Sequence, residues 1–490
     1  MAWPFTKRKQ IQQPGRWDLD RTLLYWADGV PWTIGDACVG TQIFGTTGSG
    51  KSSGSLAAIL KAMLSAGFGG LLLTAKGLDC PSYKKMARDA GRESDLLIFS
   101  PDSPLRYNFI DAEVQSGVGK TGLVENLTAL LMTAARLGNK DGGGGRGEDQ
   151  YFRDEAARLC GHGLTVLSHC PERITIPDLH RLITSAPSSV EQVASADWQR
   201  SSFCYQRLQV ADRAPKSESQ RLDWELVLNF FLNEWAALSS RTRSVVLSTL
   251  TSTTDKLSRG AARDMLSSPS PNVSPAMCYD GAIVIADFPV LVYRDIGQLI
   301  QVILKFCWQR AHSRRDVAAN PRPTFIVADE SHLLATEGDP VFQTTARSSR
   351  TAVVFATQGI TNYLEAFGPQ SEAKVHTLLG NLQTQFCHQQ TDIKTIQYMQ
   401  ELIGRSRQFV MNSSTSRESD WLAPLFGGGG NTGVSAGFSE QYEFELQASD
   451  LNSLAKGGAP DWITEAIVYQ GGRRFPNGRT WLRTAVKQSL

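Results

Sequence analysis

Eight residues near the start of the chain, Gly45-Thr46-Thr47-Gly48-Ser49-Gly50-Lys51-Ser52, have the types and spacing needed to hold a phosphate chain. Glycines at this density let the backbone wrap closely, so that successive amide N–H groups point at phosphate oxygens. A helix beginning at the end of the loop turns its positive dipole end on the same anion. The Lys51 ammonium is a point charge for the β- and γ-phosphates, and the Ser52 hydroxyl is a ligand for Mg2+. The occupants expected of such a cradle are ATP and Mg2+.

Holding a nucleotide is not cleaving it. Cleavage needs a second contact to the metal and a group that orients water, and the run Phe325-Ile326-Val327-Ala328-Asp329-Glu330 offers both. Four apolar residues read as a buried strand, and the two carboxylates fall at its C-terminal end, where ligands lie in open α/β sheets. Asp329 is the expected second metal contact, through the water shell, and Glu330 the group that polarises the attacking water. Gln358 follows another apolar run and is a candidate sensor of the γ-phosphate. Arg347 and, after it, Arg350 are candidates for an arginine that reaches into a neighbouring subunit's site. Lys76 is a candidate nucleotide-proximal or pore residue.

These groups need elements to carry them. Short apolar strands are expected at Thr41–Phe44, 71–73, 96–99, 282–286, 324–328, 352–356, 384–388 and 467–469, with a hairpin turning at Asp28-Gly29. Helices are expected at 52–66, with Ala57, Leu60 and Leu64 on one face, and at 296–314. Strands alternating with helices imply a mostly parallel sheet covered on both sides. Between 118 and 266 the patterns are helical, interrupted by a glycine-rich loop at 142–145; a second such loop lies at 427–430. The expected organisation is α/β, with 1–117 and 273–490 forming one nucleotide-binding domain and 118–272 an all-α insertion.

Composition sets limits. In 490 residues, 41% hydrophobic and 20% charged, the chain has the make-up of a globular protein. A net charge of +2 restricts any contact with nucleic acid to local patches, for which Lys84, Lys85 and Arg88, or Arg241 and Arg243, are candidates. The eight cysteines form no CxxC pair and lie in apolar stretches, as buried thiols of a cytosolic protein do. Cys160, His162, His169 and Cys170 read as packed helix side chains rather than as a metal site. Lys7-Arg8-Lys9 reads as a solvated tail. No apolar run is long enough to span a membrane.

The whole set resembles the TraG/TraD-type coupling ATPases of conjugation and type IV secretion, within the FtsK/HerA group of ring translocases. The resemblance rests on the loop Gly45 to Ser52, Thr74-Ala75-Lys76-Gly77, Tyr107-Asn108-Phe109, Asp329-Glu330, the helix ending at Arg347, and Ala356-Thr357-Gln358. It implies a RecA-like P-loop domain with an inserted all-α domain. It also implies a hexameric ring with nucleotide between subunits, and ATP-driven passage of DNA, or of a relaxase or other secretion substrate, through the channel. Two features depart from the family's pattern. Thr74 stands where an acidic residue is usual. The two-helix N-terminal anchor is not visible ahead of Gly45, so a separate membrane-anchor partner is expected to dock a cytoplasmic protein at the inner face of the membrane. The neighbouring readings are a HerA/FtsK-like DNA pump outside secretion, a coupling ATPase for protein substrates, and a nucleotide-gated adaptor.

Overall fold

The computed structural model describes residues 15–115, 123–138, 146–417 and 432–489. The glycine-rich loops at 142–145 and 427–430 and the Lys7-Arg8-Lys9 tail lie outside these residues. The strands are β1 (Thr22–Ala27), β2 (Val30–Thr33), β3 (Thr41–Phe44), β4 (Gly69–Leu73), β5 (Leu96–Phe99), β6 (Ile283–Ala286) and β7 (Thr324–Ala328). They continue with β8 (Thr351–Thr357), β9 (Thr384–Cys387), β10 (Arg405–Arg417), β11 (Thr432–Phe444), β12 (Ile463–Gln470) and β13 (Trp481–Lys487).

Nine of these strands form one sheet in the order β13-β12-β9-β3-β8-β7-β4-β6-β5. From β9 to β5 every neighbouring pair is parallel, and β12 and β13 close one side antiparallel. The central strands are buried on both faces, which is why they read as continuous apolar runs. The two-residue period still sorts them. Ile43, Phe325, Val327, Val354 and Phe386 pack on one face with the helix Ala57–Ala66. Phe44, Ile326, Ala328, Val353 and Phe355 pack on the other, with the helix Val290–Ser313.

Because the strands are parallel, the loops that follow them emerge along a single edge. That edge gathers the loops after β3, β4, β6, β7, β8 and β9. In register, Phe44 of β3 lies beside Thr357 of β8, and Phe355 of β8 beside Ala328 of β7. One strand, β8, therefore stands between the phosphate loop and the acidic pair.

Between β5 and β6 the described chain is helical, including Phe109–Gln115, Leu123–Gly138, Arg146–Ser168 and Ser240–Leu257. Their apolar faces are continuous with the second face of the sheet. Glu113 ties this region to the helix Val290–Ser313 through Arg310 (3.1 Å) and Arg314. In the Cys160–Cys170 stretch, the His162 ring stacks on Phe230 and burial pushes its pKa down to about 4. Cys160 lies in the core.

Three strands, β10, β11 and β13, were not expected. β10 and β11 pair antiparallel over thirteen residues each, from Arg405↔Phe444 to Arg417↔Thr432. The helix Val290–Ser313 starts six residues earlier than the apolar pattern suggested, across a kink at Arg294 (φ 50°, ψ −131°). The Asp28-Gly29 turn does join β1 to β2, with Gly29 at φ +71°. Among the described residues, no helix is long and apolar enough to cross a membrane.

Candidate active site

The loop after β3 is built from backbone geometry that few residues other than glycine adopt. Gly48 and Gly50 have φ of +76° and +83°. A Cβ on Gly50 would lie 2.7 Å from Thr464, and one on Gly45 would lie 2.9 Å from His388 Cβ. The loop is held from outside as well. The Gly45 amide donates to the Thr357 carbonyl (3.3 Å) and the Thr46 amide to the Gln389 carbonyl (3.1 Å). The Thr46 hydroxyl reaches the Gln389 side chain. Thr464 of β12 donates to the Ser49 carbonyl at 2.7 Å. His388, buried between Ser55 (2.9 Å) and Thr464 (3.3 Å), has its pKa pushed down to about 4 by burial and is neutral. Thr47 and Gly48 remain exposed at the tip. The helix that follows opens with a π-helical turn, Ser52–Leu56.

The acidic pair arrives on β7 and turns sharply. Glu330 has φ +51° and ψ +44°, a left-handed conformation that costs a non-glycine residue about 1–2 kcal/mol. Sites that need a side chain aimed in one direction are where such strain collects. The next residue anchors the turn. Ser331 donates to the Ala356 carbonyl (3.0 Å) and meets the Tyr363 hydroxyl (2.6 Å), which donates to Gln42 of β3 (3.0 Å). His332 bonds Thr357 at 2.9 Å. Strands β3, β7 and β8 are thus linked by buried polar groups directly beneath the edge.

The two halves meet. Lys51 Nζ lies 3.2 Å from Glu330 Oε1, and Ser52 Oγ donates to Asp329 Oδ2 at 2.7 Å. A third element joins them: Lys76, after β4, reaches Glu330 Oε1 (3.0 Å) and Asp329 Oδ2 (3.3 Å). Burial raises the Glu330 pKa, but the Lys51 and Lys76 ammoniums outweigh it and hold the carboxyl below its ordinary value. Burial likewise depresses Lys76, and Asp329 and Glu330 more than reverse it, so that lysine stays charged.

The donor set fits a metal-bound nucleotide triphosphate. The hydroxyl and carboxylate expected to hold Mg2+ are already in contact, and the glycines let the loop's backbone pack closely on His388 and Thr464. Glu330 Oε2 is buried without a hydrogen-bond partner, an acceptor left for something to occupy.

Residues 323–454, which carry β7, the acidic pair, β8, β9 and the long β10–β11 hairpin, match the family model described as the TraM recognition site of TraD and TraG. That segment is similar to TraD and TraG. Among solved structures, the bacterial conjugative coupling protein TrwBdeltaN70 in an unbound form is similar over 96% of this chain and 89% of its own, at 14% identity and a TM-score of 0.56. The plasmid coupling protein TrwB in complex with ADP and Mg2+ is similar over 96% of this chain and 90% of its own, at 13% identity and a TM-score of 0.55. At that identity the likeness shows a shared fold. None of the curated proteins matches the chain.

The remaining expected residues separate by position. Gln358 follows β8 on the edge that holds the phosphate loop, and its carbonyl accepts from Gln390 (2.8 Å). Arg347 and Arg350 precede β8 and so lie on the opposite edge from their own Lys51. Arg350 is committed to the Trp17 (2.7 Å) and Pro321 (3.1 Å) carbonyls, whereas Arg347 is exposed. Of the basic candidates, Arg88 pairs with Glu93 (2.8 Å) and Arg243 caps the Leu238 carbonyl (3.0 Å).

Sequence reasoning did not single out Gln389, His388 or Thr464. They are ordinary polar residues, Thr464 on β12 and His388 and Gln389 just after β9, and only the pairing of β9 and β12 with the rest of the sheet brings them to the loop.

Proposed function

We propose that this chain is an ATP-driven motor of the coupling-protein kind, which hydrolyses ATP with Mg2+ to move DNA, alone or with an attached relaxase, towards a secretion channel. The observation that carries the reading is the meeting of Lys51 and Ser52 with Asp329 and Glu330 at one sheet edge, in a chain whose residues 323–454 match the TraD and TraG model. The TrwB structures named with nucleotide show that the same fold accepts such ligands in another protein.

In this reading the amides of Gly45–Ser52 and the Lys51 ammonium bind the phosphates. Ser52 and Asp329 hold the metal, which when bound neutralises charge on the phosphate oxygens. Glu330 orients and polarises the attacking water, and Gln358 senses the γ-phosphate from the neighbouring strand end. Arg347, exposed on the far edge, serves the next subunit's site in a ring, taken as hexameric from the family resemblance. DNA contact falls to a basic cluster, Lys84, Lys85 and Arg88 or Arg241 and Arg243, and binding weakens steeply with salt because phosphates supply the attraction. The similarity of residues 323–454 to the TraM recognition site of TraD and TraG points to a TraM-type protein as a docking partner.

ATP turnover with and without single- and double-stranded DNA, with the mass of the particle, tests this reading. DNA-stimulated hydrolysis that disappears in Lys51→Ala supports it. A wild-type chain that binds ATP without turning it over removes the motor and leaves a nucleotide-gated adaptor.

A further inference from the structure

The segment after β4 is fixed at its backbone and free at one side chain. Gln301, fully buried on the helix Val290–Ser313, accepts from the Thr74 amide (2.8 Å) and donates to the Thr74 carbonyl (2.7 Å). Asp79 Oδ2 accepts from the amides of Ala75 and Lys76, both at 2.7 Å. The Thr74 hydroxyl, where a carboxylate is usual, donates to the Ala286 carbonyl on the adjacent strand (2.7 Å) and so takes no part in the charged cluster. From this clamped turn the Lys76 side chain crosses to the acidic pair.

Four charges then share one small volume: Lys51, Lys76, Asp329 and Glu330, summing to zero. Three are sealed, with side-chain exposures of 6, 5 and 7% for Lys51, Asp329 and Glu330, while Lys76 is 42% exposed. Lys76 Nζ rests on Asp329 Oδ2, the same oxygen that takes the Ser52 hydroxyl. Ser52 and Asp329 are the pair that fits Mg2+. An ammonium at that oxygen supplies positive charge to the place a divalent cation would occupy, and the two cannot share it. Lys51 cannot fill this role because it lies on Glu330 and is enclosed.

We propose that Lys76 is a placeholder cation: in the nucleotide-free protein its ammonium occupies the charge position of Mg2+ on Asp329, and it swings towards solvent when the metal arrives with nucleotide. The proposal rests on reading this site as one for a metal–nucleotide complex. Its consequence is an order of binding. Without nucleotide the site is already neutral and offers a bare divalent ion no net attraction to offset its loss of hydration. With nucleotide, the phosphates add negative charge, so the site can take the metal and release the ammonium towards solvent.

Mn2+ is the probe, added to the nucleotide-free full chain and followed by its electron paramagnetic resonance signal or by calorimetry. Lys76→Met and Lys76→Gln leave two carboxylates facing one enclosed ammonium, and Mn2+ should then bind about tenfold or more tighter than to wild type. Lys76→Arg keeps the charge and should keep the weak binding. Adding Asp329→Asn to Lys76→Met should remove the gain, which places the ion on that carboxylate. Melting temperatures of the single variants, read alongside, show that each is folded; a half-exposed side chain on a clamped backbone is a mild site to change. The proposal is overturned if Met and Gln at position 76 bind Mn2+ no more tightly than wild type, or if the gain survives Asp329→Asn. The readout is metal binding without nucleotide, so it stands apart from turnover: an inactive wild type would defeat the motor reading while this measurement still reported on the charge balance.

Discussion

Glu330 carries two ammoniums on one carboxylate oxygen and none on the other, in a backbone conformation that only its neighbours enforce. Burial works against its charge, yet Lys51 and Lys76 hold its pKa below the ordinary 4.5. The sign follows from a lowered folded value: the stability that Glu330 contributes is complete above the unfolded pKa and is lost as pH falls through the folded one. Glu330→Gln in the nucleotide-free protein leaves Lys51 enclosed without its carboxylate, which should cost about 1–3 kcal/mol at pH 7, less than a fully unpaired charge because Asp329 remains nearby. Melting curves at neutral pH and near pH 4 should show that difference shrinking in acid. With ATP and Mg2+ present, the same variant should bind nucleotide and lose about 10²–10⁴ in turnover, as expected when the group that polarises water is removed. Normal turnover in Glu330→Gln would mean that another group activates the water.

At the scale of elements, the phosphate loop and the acidic strand were legible because their signals are local. A glycine spacing followed by Lys51-Ser52, and an apolar run ended by two acids, each carry their meaning within ten residues. The seven parallel strands were legible too, as apolar runs between helical patterns. What did not show was anything set by pairing at long range. β12 places Thr464 against Gly50 from more than four hundred residues away. The β10 and β11 strands are rich in serine and other polar residues, so they lack the apolar alternation that marks a strand packed on a core. Two predictions belong here. Thr464→Val keeps the shape and removes the hydroxyl that holds the Ser49 carbonyl, so nucleotide affinity should fall by about fivefold, the worth of about 1 kcal/mol. An unchanged affinity by titration with a fluorescent nucleotide would mean that β12 does not steady the loop. Deeper in the fold, Lys305 (2% exposed) pairs with Asp339 (1%), which also accepts from Gln309 (2.8 Å) and the Thr336 amide (2.7 Å). Burial lowers the Lys305 pKa, and Asp339 opposes that shift. Lys305→Met should cost about 3–5 kcal/mol in denaturant unfolding by stranding Asp339, and Lys305→Met with Asp339→Leu should cost distinctly less.

For the whole molecule, the decisive geometry is which edge of the sheet a residue occupies. β8 runs from Thr351 to Thr357, so Arg347 stands roughly 20 Å across the sheet from the loop that its own chain supplies. No side chain reaches that far, and Arg347 has a role in hydrolysis only if another subunit brings a nucleotide to it. Arg350 is a weaker candidate because two backbone carbonyls already hold its guanidinium. This makes a mixing experiment sharp. Arg347→Ala alone should lose about 10³–10⁵ in turnover if the guanidinium stabilises transition-state charge, and Lys51→Ala alone should be inactive. Assembled together from unfolded or dissociated chains, the two variants form some interfaces in which the Arg347→Ala subunit supplies Lys51 and the Lys51→Ala subunit supplies Arg347. Those interfaces are complete, so activity should return in the mixture to a fraction set by the mixing ratio, while each variant assembled with itself stays inactive. If each protein forms the same ring and the mixture remains as inactive as its parts, Arg347 does not act between subunits. The exposed end of the helix before β8 is then a solvated surface.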